Sequence, residues 1–193
     1  MKAKIGAVPL VYPIPIVLAG ANVAERPNFA TLGDCGIMGI RPPLVYVSLH
    51  RDHFTTQGIF ENGTFSVNLP TTGMLAVTDY CGIVSGREVD KAALFDVFYG
   101  ELSSAPLIAE CPVNLECRVV HEFAVQHRQV FVGEVVQAHV DEAYLVERDG
   151  RRAVADLTRL DPILYALDNR YYRVSEAIGL GYQEGRKLRK PTE

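Results

Sequence analysis

The sequence predicts a mainly β domain of the α+β class, in which a few short helices accompany a closed or partly closed β-barrel. In residues 113–119 and 136–140 apolar and polar side chains alternate, and this period of two indicates half-buried antiparallel strands. Helical patterns are few and short, so a barrel is the economical architecture for this order of elements. With 193 residues, of which 48% are hydrophobic and 22% charged, the chain has the composition of one globular domain.

The strands are predicted from segments that are extended, bounded by proline or alternating. The pair Pro42-Pro43 forces an extended start to the strand that follows, because a residue before proline avoids the helical region. Asp149 and Gly150 mark the turn of a late hairpin. In chain order, the predicted strands are residues 11–18, 28–37 (a strand, or a strand and a loop), 44–49, 65–69, 113–119, 136–140, 144–147 and 153–155.

Three short helices are predicted between these strands. Residues 55–62 form the first, with a threonine as its N-cap and Gly63 as its C-terminal stop. Thr71 or Thr72 caps the second, which runs through residues 74–77. Residues 89–95 form the third.

Charge, prolines and cysteines bear on the class of protein. The net charge of −4 argues against nucleic acid as a partner. Pro9, Pro13 and Pro15 would break a signal-peptide or membrane helix, whereas an edge strand tolerates them. We therefore expect no targeting segment, no membrane partner and a cytoplasmic protein. The four cysteines form no C-x-x-C pair and are expected to be reduced thiols.

We expect residues 1–193 to form a single domain, in which residues 183–193 are a loose C-terminal tail. The tail carries four basic residues, Arg186, Lys187, Arg189 and Lys190. Because chain ends are usually loose, this run is more typical of a solvated terminus than of a site for an acidic partner.

The stretch "SLHRDHFTTQ", residues 48–57, concentrates hydrogen-bond donors directly after an apolar strand. A metal site is not favoured, because His50 and His53 have no third ligand nearby at a suitable spacing. Covalent catalysis is not favoured either: Ser85 lies in G-x-x-S-G rather than in a nucleophile elbow, and a cysteine such as Cys81 is more often buried packing. No G-x-G-x-x-G follows a strand, so a Rossmann dinucleotide site is not indicated.

An anion site remains, and it has positive support. Thr55 and Thr56 lie where a strand passes into a helix, and the N-terminal amides of a helix attract anions. Arg51 adds a planar guanidinium suited to phosphate oxygens, and Ser48 adds a hydroxyl. A capped helix beside solvated charges explains this stretch equally well when it is considered alone.

Several longer segments together resemble the flavin reductase-like family that includes flavoredoxin. They are "RPNFATLGDCG", "RPPLVYVSLHRDHFTTQGIFENGTFSVNLPT" and "DYCGIVSGREVDK", followed by "VGEVVQAHVDE" and "LDPILYAL…YYRVSEAIGLGY". The resemblance extends from about Pro13 to Tyr182. It implies an FMN-binding split β-barrel, a homodimer, and FMN as the cofactor.

The resemblance also implies the cofactor-binding residues. Asn28, Ala30 and Thr31 would lie along the isoalloxazine and ribityl chain. The segment from Ser48 to Thr56 would surround the phosphate and part of the ribityl chain, and a second loop would approach the same cofactor. The full implied set is Asn28, Ala30, Thr31, Ser48, Leu49, His50, Arg51, His53, Thr55, Thr56, Gly82, Ser85, Gly86, Arg87 and Lys91.

By the same resemblance, the expected function is that of a flavin reductase-type oxidoreductase, which takes hydride from NADH or NADPH. Two alternatives remain open: a flavoredoxin-like FMN electron carrier that works with a redox partner protein, and a non-enzymatic barrel that binds flavin or haem. No catalytic acid or base is assigned, because the flavin itself performs the redox chemistry. Asp34 stands where relatives often carry tryptophan, and an aspartate there would disfavour an anionic reduced flavin unless it is neutralised or points away.

Overall fold

The computed structural model describes residues 1–148 and 150–188. The strands in these residues are β1 (Ile14–Pro15), β2 (Val17–Val23), β3 (Arg26–Leu32), β4 (Cys35–Ile40), β5 (Pro43–His50), β6 (Thr64–Leu69), β7 (Val97–Phe98), β8 (Leu107–Ile108), β9 (Val113–Val125), β10 (Arg128–Val140), β11 (Leu145–Arg148), β12 (Arg151–Val154), β13 (Leu164–Ala166) and β14 (Arg170–Tyr172). The α-helices are α1 (Phe54–Asn62), α2 (Leu75–Ile83) and α3 (Leu157–Leu160). Four 3₁₀ helices in the same residues span Thr72–Met74, Ala92–Leu94, Glu142–Tyr144 and Glu184–Leu188.

Seven antiparallel strands form one curled sheet in the order β3-β2-β6-β9-β10-β5-β4. Its two edge strands, β3 and β4, follow each other in the chain with only Gly33 and Asp34 between them. A link of this length brings the two edges together at one corner, so the sheet must close on itself there. The result is a split β-barrel, as the sequence predicts.

The barrel interior is filled by alternate side chains of the sheet strands and by one residue of α1. Ile59 of α1 packs against the buried Phe65 and Phe131 of β6 and β10. Because α1 follows β5 directly, the same contact that buries Ile59 fixes the start of the helix beside the barrel. A second cluster, outside the barrel, joins Leu18 and Phe29 to Cys81 of α2.

The strand predictions are largely confirmed, with two differences. The hairpin of β9 and β10 is much longer than the alternating segments. The outer part of β9 is exposed and includes apolar side chains such as Val120 and Phe123, so apolar and polar residues do not alternate there. The stretch 11–18 is not one edge strand: β1 belongs to a separate sheet of order β1-β13-β14, while β2 lies inside the barrel sheet and is buried throughout.

The first two predicted helices form, but no threonine caps them. α1 begins at Phe54 with His53 as its N-cap, and Thr55 and Thr56 are buried in its first turn. Thr71 makes no side-chain cap, and the hydroxyl of Thr72 donates instead to the carboxylate of Asp161. Gly63 ends α1 with a positive φ of 64°, as predicted.

The third predicted helix, residues 89–95, is wrong. Only Ala92–Leu94 are helical, and they form a 3₁₀ turn. The carboxylate of Asp90 accepts a hydrogen bond from the backbone N–H of Ala92 at 3.1 Å, and such local side-chain bonds compete with regular helix. Lys91 is turned inwards to the carbonyl of Cys81.

β11 and β12 pair as an antiparallel hairpin, as the sequence predicts. Asp149, which the sequence places in its turn, lies outside the described residues. In the predicted tail, residues 184–188 form a 3₁₀ helix, and residues 189–193, with Arg189 and Lys190, lie outside the described residues. The loose tail and the single domain therefore stay predictions. In the part of the chain that is described, no helix is both long and apolar enough to cross a membrane.

Candidate functional site

A cleft of about 240 Å³ opens between the N-terminal end of α1 and the C-terminal end of α2. We call it the central cleft. β3 forms its floor, and the segment that follows α2 forms one wall. Its lining residues are Asn28, Ala30, Thr31, Asp52, His53, Phe54, Thr55, Cys81, Gly82, Ile83, Val84, Ser85, Gly86 and Lys91.

Hydrogen bonds from β3 hold both helices at the floor of the central cleft. The side-chain amide of Asn28 donates to the hydroxyl of Thr55 at 2.7 Å, which ties β3 to the first turn of α1. The hydroxyl of Thr31 donates to the carbonyl of Thr78, which ties the same strand to α2. Both donors lie on one short strand, so the spacing of the two helix ends is set by the barrel itself.

Small residues keep the central cleft open. A side chain at Gly86 would place its Cβ 2.0 Å from the amide oxygen of Asn28 and 2.9 Å from the ring of Phe54. At Gly82 a Cβ would meet the side chain of Thr31 at 3.3 Å. With Ala30, these glycines leave mainly backbone atoms on one wall of the central cleft. Larger side chains at these positions would obstruct the cleft.

A second cavity of about 580 Å³, the outer cleft, adjoins the first. The two share four lining residues, Asn28, Phe54, Gly86 and Lys91. Arg87 lines the outer cleft and folds over the start of α1. Its guanidinium carbon lies 5.0 Å from the centre of the Phe54 ring, and Nη2 donates to the carbonyl of Asp52 at 3.4 Å. A fixed cation therefore stands beside the positive end of a nine-residue helix.

Lys91 places a second cation inside the site. Its side chain is buried, and Nζ donates to the backbone carbonyl of Cys81 at 2.7 Å. Burial lowers the pKa of Lys91 from its ordinary value, which is the expected effect of removing an ammonium group from water. Burial also raises the pKa of the Cys81 thiol, so this cysteine is kept protonated rather than activated as a nucleophile.

Histidine rings lie at the edge of the central cleft. The ring of His50 is 5.8 Å from that of His53 and 5.2 Å from that of His127, measured between centroids. Burial, then the nearby His50, Arg128 and Lys91, lowers the pKa of His53, which favours a neutral imidazole. In residues 1–148 and 150–188 no group of three or more His, Cys, Asp and Glu side chains is arranged to hold a metal ion.

The structure brings most of the residues implied by the resemblance together. Asn28, Ala30, Thr31, His53, Thr55, Gly82, Ser85, Gly86 and Lys91 line the central cleft, and Arg87 lines the outer one.

Five residues of the implied set lie elsewhere. The side chain of Leu49 is in the barrel core, and the hydroxyl of Thr56 donates to the carbonyl of His50 at 2.9 Å. Ser48 and His50 are half-buried, and Arg51 is exposed at the end of β5. None of the five lines the central or the outer cleft. A role for Arg51 in binding phosphate stays a prediction.

The sequence reasoning missed the partner of Asp34. Arg128 of β10 forms an ion pair with the Asp34 carboxylate, and its Nη2 also donates to the carbonyl of Ser48 at 2.6 Å. The charge of Asp34 is thus compensated by an ion pair, so it opposes an anionic reduced flavin less than an unpaired carboxylate would. No local pattern connects two residues so far apart in the chain.

Phe54 and Asp52 also line the central cleft, although the resemblance did not imply them. Both lie inside the stretch, residues 48–57, that the sequence singles out.

Comparisons with known proteins agree with this architecture. Residues 10–174 match the model of the flavin reductase like domain. The crystal structure of flavoredoxin from Methanosarcina acetivorans is 43% identical, with a TM-score of 0.91, over 98% of this chain and 100% of that one. An FMN-binding protein from Thermus thermophilus, solved with bound 1-cyclohex-2-enone, is 26% identical, with a TM-score of 0.76, over 93% and 99%. The NADH-dependent FAD reductase of Streptomyces globisporus is 27% identical over 65% of this chain and 68% of its own.

Proposed function

Because this chain belongs to the flavin reductase-like domain family, we propose that it is an FMN-binding oxidoreductase that takes hydride from a reduced nicotinamide. The observation that carries the proposal is the convergence of Arg87, Lys91 and the start of α1 on one pair of joined clefts. A flavin role follows from the family. The choice of FMN and of a nicotinamide donor is the part that we propose.

The polar end of the site fits the phosphate and ribityl chain of FMN. Arg87 and Lys91 supply positive charge, and the first amides of α1 supply hydrogen-bond donors that favour an anion. Thr55 and Ser85 line the central cleft, and hydroxyl side chains of this kind suit the hydroxyls and phosphate oxygens of such a chain.

The opposite end of the site suits a planar ring. Ala30 and Gly82 present little more than backbone, and a flat ring system lies well against such a wall. Bound FMN would supply the redox chemistry, and the residues of this chain hold and orient it. The buried Cys81 thiol, whose pKa is raised by burial, is consistent with a site that needs no protein nucleophile.

A second candidate is a flavoredoxin-like electron carrier that receives electrons from a redox partner protein and has no nicotinamide site of its own. The specific observation in its favour is the 43% identity to a flavoredoxin, which exceeds the 27% identity to the NADH-dependent FAD reductase. Both candidates use the same flavin cleft and differ only in the electron donor.

The test begins with the absorbance spectrum of the purified protein, before and after desalting, and with acid extraction of its cofactor. We expect a flavin spectrum and FMN in the extract; FAD, haem or no cofactor after flavin-supplemented expression would contradict the proposal. NADH and NADPH are then added separately without oxygen. Bleaching of the flavin absorbance by either one supports the oxidoreductase. If dithionite bleaches the flavin and both nicotinamides fail, the oxidoreductase proposal is contradicted and the electron carrier is favoured over it.

A further inference from the structure

The outer cleft is larger than the phosphate of FMN requires. Its volume is about 580 Å³, whereas that of the central cleft is about 240 Å³. We call the region that the central cleft does not share the far part of the outer cleft. The turn between β2 and β3 forms one of its walls, and the segment after α2 forms the other. Its lining residues are Val23, Ala24, Arg26, Pro27, Arg87, Glu88, Val89 and Asp90.

An ion pair joins the two walls of the far part. Nη2 of Arg26, at the start of β3, lies 3.4 Å from Oδ2 of Asp90. Both side chains are largely exposed, so the ion pair is weak, and the loss of one partner leaves the other free in the cleft. The second oxygen of Asp90, Oδ1, accepts a hydrogen bond from the backbone N–H of Ala92 at 3.1 Å, which holds the carboxylate in place.

The cations of the outer cleft are therefore all engaged when FMN is bound as proposed. Arg87 and Lys91 belong to the site for its phosphate, and Arg26 faces the carboxylate of Asp90. Among the described residues that line the cleft there is no fourth cation, and Glu88 adds a further carboxylate. A second phosphate in the far part would meet negative charge and no cation that is free to bind it.

The two common flavin coenzymes differ in where they carry negative charge. FMN ends in a phosphomonoester, which carries nearly two negative charges at neutral pH. FAD has a diphosphate with one negative charge on each phosphate, and an adenosine follows it. Compared with FMN, FAD therefore moves one charge away from Arg87 and Lys91 and towards Glu88 and Asp90. Because like charges repel at short distance, the far part disfavours the dinucleotide.

We propose that the outer cleft makes this site selective for flavin mononucleotide over flavin adenine dinucleotide, and that Asp90 sets the selectivity by holding Arg26. The inference rests on the proposed function, because it requires the phosphate of FMN to bind at Arg87 and Lys91. While Asp90 holds Arg26, a second phosphate can gain this cation only by breaking the ion pair. When the carboxylate is removed, Arg26 becomes a free cation in the far part, where it can bind the second phosphate of FAD.

Asp90→Asn tests the inference, because asparagine keeps the oxygen that accepts from Ala92 and loses the charge. FMN and FAD are titrated separately into the flavin-free protein at low ionic strength, and calorimetry gives both affinities. We expect the parent to bind FMN about tenfold more tightly than FAD, because FMN places more charge on the two phosphate cations. Asp90→Asn should bind FAD about threefold more tightly than the parent does, as for an exposed contact between opposite charges. Its FMN affinity should change less.

Arg26→Gln separates charge from steric closure of the far part. This variant breaks the ion pair but leaves the carboxylate of Asp90, so it should not improve FAD binding. In the double variant with Arg26→Gln and Asp90→Asn, the threefold gain should disappear, because the cation that produces it is gone. If Arg26→Gln alone improves FAD binding as much as Asp90→Asn does, the ion pair acts as a steric barrier, and the inference is overturned.

Glu25→Gln is the matched control. Glu25 is an exposed carboxylate in the same turn as Ala24, but it does not line the outer cleft. Loss of its charge should leave the ratio of the FMN and FAD affinities as in the parent. Glu88→Gln provides a second variant in case Asp90→Asn folds poorly, and it should also raise the affinity for FAD relative to that for FMN.

Equal affinities of the parent for FMN and FAD overturn the inference, as does an unchanged ratio of the two in folded Asp90→Asn. If Asp90→Asn does not fold, an unchanged ratio in Glu88→Gln has the same consequence. A shift in Glu25→Gln as large as that in Asp90→Asn would also overturn it, because the effect would then follow net charge rather than position. The proposed function fails separately, by the absence of flavin from the purified parent or by the failure of both nicotinamides to bleach it.

Discussion

At the scale of single residues, two arginines are candidates for binding the phosphate of FMN. The sequence pattern favours Arg51, because it follows a strand and precedes a helix start. In the folded chain Arg87 lines the outer cleft and packs over Phe54, whereas Arg51 lines neither of the joined clefts. The two residues have the same chemistry and differ in position, so they form a matched pair for mutation.

We predict that Arg87→Ala weakens FMN binding about tenfold, because a charge-assisted contact to phosphate contributes roughly 1.5–3 kcal/mol. Riboflavin lacks the phosphate, so its affinity should be nearly unchanged. Arg51→Ala should have the smaller effect on FMN. Fluorescence titration of both flavins measures these affinities. A larger FMN loss in Arg51→Ala than in Arg87→Ala would return the phosphate contact to the residue that the sequence indicates.

The ion pair of Asp34 and Arg128 shows what residue-level reasoning lacks. The sequence around Asp34 indicates only that a negative charge lies near the expected position of the flavin ring. Its partner lies on β10, which reaches Ser48 because β10 and β5 pair in an antiparallel register. Pairing of this kind depends on the closed sheet, and no spacing in the sequence encodes it. The inward turn of Lys91 to the carbonyl of Cys81 in α2 is likewise not apparent from residues 89–95 taken alone.

At the scale of elements, the position of α1 depends on its close approach to β2. A Cβ on Gly58 would lie 2.3 Å from the carbonyl oxygen of Asn22 and 2.8 Å from the side chain of Val23. The first contact is with backbone, which cannot move without disturbing the barrel sheet. Glycine at this position therefore allows α1 to lie directly on the strand and holds Thr55 at the floor of the central cleft.

We predict that Gly58→Ala destabilises the protein by about 1–2 kcal/mol. Overpacking costs roughly 1–3 kcal/mol, and the close approach to backbone places this site in the upper part of that range; the better helix propensity of alanine offsets about 1 kcal/mol. Gln57→Ala, at the exposed neighbouring position of α1, should change stability by no more than about 0.5 kcal/mol. Urea unfolding of both variants measures the difference. An alanine at position 58 that leaves the unfolding free energy unchanged would show that α1 is not held by this contact.

Whole elements were predicted more reliably than their ends or caps. The alternation of apolar and polar residues identifies strands because it indicates that one face is buried. Proline placement identifies them because proline restricts the backbone before it to extended conformations. The threonine N-caps are wrong: Thr55 bonds to Asn28 and Thr72 to Asp161, both far along the chain, and Thr56 bonds to the carbonyl of His50 at the end of the preceding strand. The 3₁₀ turn at Ala92–Leu94 has a more local origin, since Asp90 accepts from the backbone N–H of Ala92 and Lys91 donates to the carbonyl of Cys81.

At the scale of the whole molecule, the barrel class was predictable from the sequence, and the order of its strands was not. The curled order β3-β2-β6-β9-β10-β5-β4 follows from pairings between segments that are far apart in sequence, which local patterns do not specify. The same topology leaves β4 as a sheet edge. Its exposed side chains include Ile37 at 72% and Ile40 at 73%, and an apolar open edge is unusual in a soluble monomer.

The N-terminal segment adds to this apolar surface. Val11 is 83% exposed, and it lines a common cleft with Pro9, residues 13–15 and Cys35 of β4. We predict that the protein is a homodimer in which β4 and this segment are buried, so light scattering should return about twice the chain mass of 21.3 kDa. Ile40→Glu should shift the population towards the single-chain mass, because it introduces a charge into the interface at a position that is exposed in one chain. Its far-UV circular dichroism should match that of the parent. A parent protein of single-chain mass at micromolar concentration would contradict the dimer, and a dimer undisturbed by Ile40→Glu would move the interface away from β4.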